Sequence, residues 1–105
     1  MRVAVGIDHA GTPLRDTVFE AVRAGGHEPL DLGEHDDYPD TALDAGRAIA
    51  GGEADRAILI CGSGAGVSVA ANKLAGIRAS VCHVRRLNKI FEMERDGMDE
   101  SEASP

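Results

Sequence analysis

The residues Ala57-Ile58-Leu59-Ile60-Cys61 form an apolar run of strand length, and Gly62-Ser63-Gly64-Ala65-Gly66 follows without a break. Glycine at every second position frees the backbone for left-handed angles and close approach to a ligand. The small and apolar residues from Gly66 to Lys73 then read as a short helix. Strand, glycine turn and helix in that order restrict the chain to an α/β arrangement. They also aim the N–H groups of the turn at one point, which is how a backbone holds an anion. The spacing is not that of a dinucleotide-binding loop, and no Gly-Lys-Ser/Thr follows to make a nucleotide-phosphate loop. A tight turn that holds no ligand uses the same glycines, so the loop alone leaves both readings open.

The rest of the chain repeats the alternation. Arg2 to Ile7 is a valine-containing strand pattern ending at Asp8-His9-Ala10-Gly11. Thr12 and Pro13 suit a helix start, and Leu14, Val18, Ala21 and Val22 recur at helical spacing until Gly25-Gly26. Glu28 to Leu32 is a second strand, Gly33 to Asp37 a polar loop, and Tyr38-Pro39-Asp40 opens a helix. Its buried face is small: Ala42, Ala45, Gly46 and Ile49. Arg56 to Cys61, apolar almost throughout, has the pattern of a central parallel strand covered on both faces. Ile77 to Val84 reads as a fourth strand. Arg85 to Arg95 reads as a fourth helix, with Leu87, Ile90 and Phe91 on one face. Such alternation predicts a three-layer α/β domain over residues 1–95, with a parallel sheet of at least four strands and helices on both faces. The acidic, apolar-poor stretch 96–105 is expected to be a disordered tail.

In parallel sheets of this kind ligands bind beyond the carboxyl ends of the strands. That rule brings Asp8-His9 and the Cys61–Gly66 turn to one edge. A thiol works as a base only as its thiolate, a form favoured by a helix N-terminus or a nearby cation. Cys61 stands where the first is available, and His9 offers the second. From position alone it reads equally as a small buried apolar residue. Cys82, inside a strand pattern, is expected in the core. Asp8 and His9 read as an acid–base or hydroxyl-binding pair, or as a helix-entry carboxylate beside a surface imidazole. His27, His35 and His83 lack metal-ligand spacing, so no metal or other cofactor is expected.

The formal net charge of −7 excludes general nucleic-acid binding, which needs a basic face, but leaves room for a small phosphorylated ligand. No apolar stretch reaches the roughly 18 residues of a membrane span. Two cysteines without a C-x-x-C spacing suit a reduced, cytoplasmic protein and count against a thiol-redox role.

Asp8-His9-Ala10-Gly11, Asp37-Tyr38-Pro39, Ile60 to Gly66, Ala70-Ala71-Asn72-Lys73 and Gly76-Ile77-Arg78-Ala79 occur in this order across residues 2–83. Together they resemble the ribose-5-phosphate isomerase B family, which includes the related galactose-6-phosphate isomerase subunits. The resemblance implies a Rossmann-like sheet, a homodimer or higher homo-oligomer, and metal-free interconversion of aldose and ketose phosphates such as ribose 5-phosphate and ribulose 5-phosphate. It implies that Cys61 moves the proton between C2 and C1. The N–H groups of Gly62, Ser63, Gly64, Ala65 and Gly66 would then stabilise the enediolate, and Asp8 and His9 would bind the sugar phosphate. Ser63 stands where many relatives carry Thr and keeps the hydroxyl. After His83 the pattern departs from the family. The His-Asn-Asp motif with the ring-opening acid, the last strand, the phosphate-binding arginines and the last helix are not found. That departure predicts an exposed strand edge and weaker phosphate binding. It also keeps in view a non-catalytic phosphosugar-binding protein, or one subunit of a hetero-oligomeric hexose-phosphate isomerase.

Overall fold

A computed structural model of the chain describes residues 1–81 and 84–96. Its elements are β1 (Arg2–Asp8), a 3-10 turn (His9–Leu14), α1 (Arg15–Ala24), β2 (Glu28–His35), α2 (Tyr38–Ala50), β3 (Arg56–Ile60), α3 (Ala65–Asn72) and α4 (Val84–Arg95). The three strands form a parallel sheet in the order β2-β1-β3. Each strand-to-strand crossover carries a helix, which gives the expected layered α/β fold.

The alternation of side chains along β1 separates the two layers. Val3, Val5 and Ile7 pack against Val18, Phe19, Ala21 and Val22 of α1, and Leu87 and Phe91 of α4 close the same cluster. On the opposite face Ala4 meets Ala48 of α2 and Ala54. Ala42 of α2 packs with Val67 and Ala71 of α3. Gly6 shares this second face: a Cβ there would lie 2.8 Å from Cγ2 of Thr41 in α2. Small residues on β1 therefore let α2 come close. At the end of α1, Gly25 serves α4 in the same way, because a Cβ would lie 2.7 Å from the Phe91 ring. Arg95 donates to the Ala24 carbonyl at 2.8 Å, which satisfies a helix-end acceptor.

Several expectations are corrected. Three strands, not four, pair among the described residues. Ile77 to Val81 joins no ladder, because the Ala79 N–H and carbonyl both pair with the side-chain amide of Asn72 at 2.9 and 3.0 Å. Val84 already belongs to α4. Cys82 and His83, and with them the expected core position of Cys82, lie outside the described residues, as does the tail beyond Asp96. The centre of the sheet is β1 rather than β3. Ala57, Ile58 and Leu59 are only half-buried, because β3 pairs on one side alone among these residues. The first helix begins at Arg15, with Thr12 and Pro13 inside the 3-10 turn and Leu14 exposed. Asp8 provides the cap there, accepting from the Ala10 N–H at 2.9 Å. In α2 the buried residues are Thr41, Ala42, Ala45 and Ala48, with Gly46 and Ile49 half-buried. Of the apolar stripe on α4, Leu87 and Phe91 are buried but Ile90 is exposed.

Candidate active site

The site is built where β1 and β3 end. Their register pairs Ile7 with Ile60, so Asp8 and Cys61 are the next residues out on adjacent strands. The 3-10 turn after β1 folds directly onto the end of β3. A Cβ on Gly11 would lie 2.6 Å from Cγ2 and 2.8 Å from the carbonyl oxygen of Ile60, so only glycine fits. A Cβ on Gly62 would be 3.6 Å from that of Ala10. Two turns far apart in sequence are thus in contact, as the strand-end rule requires.

Within the second turn, Gly64 takes φ +81° and caps α3. Its N–H donates to Sγ of Cys61 at 3.0 Å, and the Ala65 N–H donates to Oγ of Ser63 at 3.2 Å. Ser68 is the first residue to bond back into the helix, donating to the Gly64 carbonyl at 3.1 Å. The N–H groups of Gly66 and Val67 lie in the first turn and have no intrahelical acceptor by construction. Donors and the positive end of the helix dipole therefore converge beside a half-buried thiol. A hydrogen bond of this kind is stronger to a thiolate than to a thiol. Gly66 makes room for Tyr38: a Cβ there would lie 2.8–3.0 Å from the phenol ring. On the other side, Val81 sits 3.2 Å from the Cβ position of Gly64.

Asp8 is buried, and one of its oxygens is already engaged with Ala10. His9 is exposed, and its Nδ1 lies 2.8 Å from the Asp36 carbonyl. A carbonyl only accepts, so Nδ1 carries the proton and the neutral ring keeps its lone pair on Nε2. Asp8, His9 and the residues Cys61 to Gly66 therefore share one strand-end region. Two further features lie there that the sequence reading did not assign. Tyr38, read as a helix entry, packs on the glycine turn. His35, dismissed for lack of metal-ligand spacing, donates from Nε2 to Oδ2 of Asp44 at 2.6 Å. Among the described residues no cluster of three or more His, Cys, Asp or Glu side chains could hold a metal ion. No helix there is long and apolar enough to cross a membrane.

A model of the family described as Ribose/Galactose Isomerase matches residues 3–97. The chain belongs to that family. Ribose-5-phosphate isomerase B of Escherichia coli is 47% identical over 85 residues, covering 77% of this chain and 57% of that protein. D-erythrulose-4-phosphate isomerase 2 of Mycolicibacterium smegmatis is 40% identical over 90 residues, covering 79% and 59%. Among solved structures, type B ribose 5-phosphate isomerase of Trypanosoma brucei superposes with a TM-score of 0.72 at 49% identity, covering 77% of this chain and 58% of that one. The chain thus spans somewhat under three fifths of the length of these Ribose/Galactose Isomerase relatives. The residues that the family model matches, 3–97, include both strand-end turns.

Proposed function

We propose that this chain is an aldose–ketose isomerase acting on a sugar phosphate, with ribose 5-phosphate and ribulose 5-phosphate as its pair. Family membership supports the reaction class. The observation that carries the residue assignment is the Gly64 N–H donating to Cys61 Sγ at the start of α3.

In this reading the Cys61 thiolate removes the C2 proton of the open-chain aldose. Negative charge develops on the carbonyl oxygen at C1 as the enediolate forms. The N–H groups of the Gly62–Gly66 turn stabilise that charge, which appears only along the reaction, so they favour the transition state over the bound sugar. The Cys61 thiol returns its proton to C1, while the hydroxyl proton passes from O2 to O1, giving the ketose with no net change in protons. Asp8 and His9 bind the sugar phosphate. No cofactor enters the balance. Residues 1–95 act as one isomerase domain, in a cytoplasmic homodimer or higher homo-oligomer.

The test is conversion of ribose 5-phosphate by the purified chain and by Cys61→Ala and Cys61→Ser. Removing a positioned base lowers kcat by about 10²–10⁴-fold, with thermal stability nearly unchanged. Equal turnover by wild type and Cys61→Ala removes the thiol from the mechanism. Calorimetric binding of ribose 5-phosphate with no turnover by the wild type makes the protein a phosphosugar binder instead.

A further inference from the structure

The end of β2 carries a polar group that the proposed chemistry does not use. Leu30 and Leu32 alternate onto the α2 side of the sheet. Continued unbroken, that alternation would turn His35 to the opposite side. It is broken by a bulge: Val5 pairs with Asp31, but Ile7 pairs with Glu34, so β2 takes one extra residue. Gly33 supplies it, with φ +81°, and its N–H donates to Oδ1 of Asp31 at 2.8 Å. After the slip His35 stands opposite Asp8 and on the α2 face. There Nε2 meets Asp44 at 2.6 Å, both side chains being half-buried.

The residues flanking His35 hold the turn that contains His9. Asp36 offers its carbonyl to His9 Nδ1 at 2.8 Å. Glu34 accepts from the Thr12 hydroxyl at 2.9 Å, and Thr12 also lies 3.2 Å from the His9 carbonyl. We propose that Asp44 and His35 are positioning residues for His9. By tying the residue before Asp36 to α2, they fix the carbonyl that selects the Nδ1–H form of the His9 ring. Nε2 is thereby the ring atom left for a ligand. The consequence for sugar-phosphate binding rests on the function proposed above; the control of the His9 tautomer does not.

The test uses Asp44→Ala and His35→Phe, with Asp44→Asn as the conservative variant that keeps an acceptor. Nitrogen-15 NMR of the imidazoles, at about pH 8 where an ordinary histidine is neutral, reads the His9 tautomer. Wild type and Asp44→Asn are expected in the Nδ1–H form, while Asp44→Ala and His35→Phe give a mixture of both. KM for ribose 5-phosphate rises about 3- to 10-fold in the two disrupting variants, the worth of one hydrogen bond. Their kcat stays within about twofold, because binding and not the chemical step is affected. An unchanged His9 tautomer in Asp44→Ala overturns the proposal, and that variant decides alone if His35→Phe fails to fold. A fall in kcat at constant KM overturns it too, since the pair would then act in the chemistry. If the wild type turns over no sugar phosphate, the proposed function fails and the NMR arm still decides this inference.

Discussion

On one side of the sheet, Val3, Val5 and Ile7 bury full aliphatic side chains against Val18, Val22 and two phenylalanines. On the other, Ala4 and Gly6 leave so little bulk that α2 packs almost onto the β1 backbone, and the next residue on that face is the carboxylate of Asp8. The first side is where apolar area is removed from water, at about 1.5–3 kcal/mol for each large side chain. The second contributes less burial per residue. It brings the start of α2, and with it Tyr38, against the glycine turn. The same strand thus separates the work of holding the fold from the work of shaping the site.

The largest stability effect expected from a substitution in β1 is on the first side. Ile7→Ala should destabilise by about 2–5 kcal/mol, because a fully buried side chain leaves a cavity among α1, α4 and β3. Urea denaturation measures it, and a loss no greater than that of a surface substitution would erase the contrast between the faces. On the second side the error is overpacking. Gly6→Ala should cost about 1–3 kcal/mol, since the new methyl would meet Cγ2 of Thr41 at 2.8 Å. Adding Thr41→Ser, which deletes that methyl, should restore much of the loss; a double variant no better than Gly6→Ala would mean that the strain lies elsewhere. The smallest effect has the opposite sign. Thr41 is fully buried, and its hydroxyl has no hydrogen-bond partner among the described residues. Thr41→Val keeps the shape and removes the unsatisfied group, so it should raise stability by about 1 kcal/mol. A lower melting temperature would show that the hydroxyl is paired in solution.

Periodicity and glycine placement made much of this legible. The strand beginning at Arg2, the helices entered at Tyr38 and ending in Arg95, and the thiol-bearing turn all follow from local pattern. The meeting of the Asp8 turn with the Cys61 turn follows from the strand-end rule. The misreadings share a cause: a partner that the local pattern does not contain. Ala57 to Cys61 has the apolar content of a central strand, yet nothing in it states how many neighbours it has. Ile77 to Val81 reads as a strand until the Asn72 amide, seven residues before Ala79, takes that residue's backbone groups. Thr12 looks like a helix cap, but Asp8 reaches the Ala10 N–H first and winds the chain into a 3-10 turn. His35 lacks metal-ligand spacing, and its place is decided instead by the face of β2 on which it falls. Its signal was Gly33, an isolated glycine directly after Leu30 and Leu32, which marks a bulge and so a change of face.

The central place of β1 among the described strands also bears on how these strands assemble. Arg2 pairs with Glu28, and Val3 pairs with Arg56, so neither edge of β1 is satisfied by a segment close to it in sequence. No hairpin can form early and template the rest. Closing such distant pairings carries a loop entropy that slows the search and leaves unpaired apolar strand exposed meanwhile. During synthesis β1 waits with both edges open until β2 has emerged, and with one still open until β3 follows. That interval exposes the chain to self-association before its core has formed.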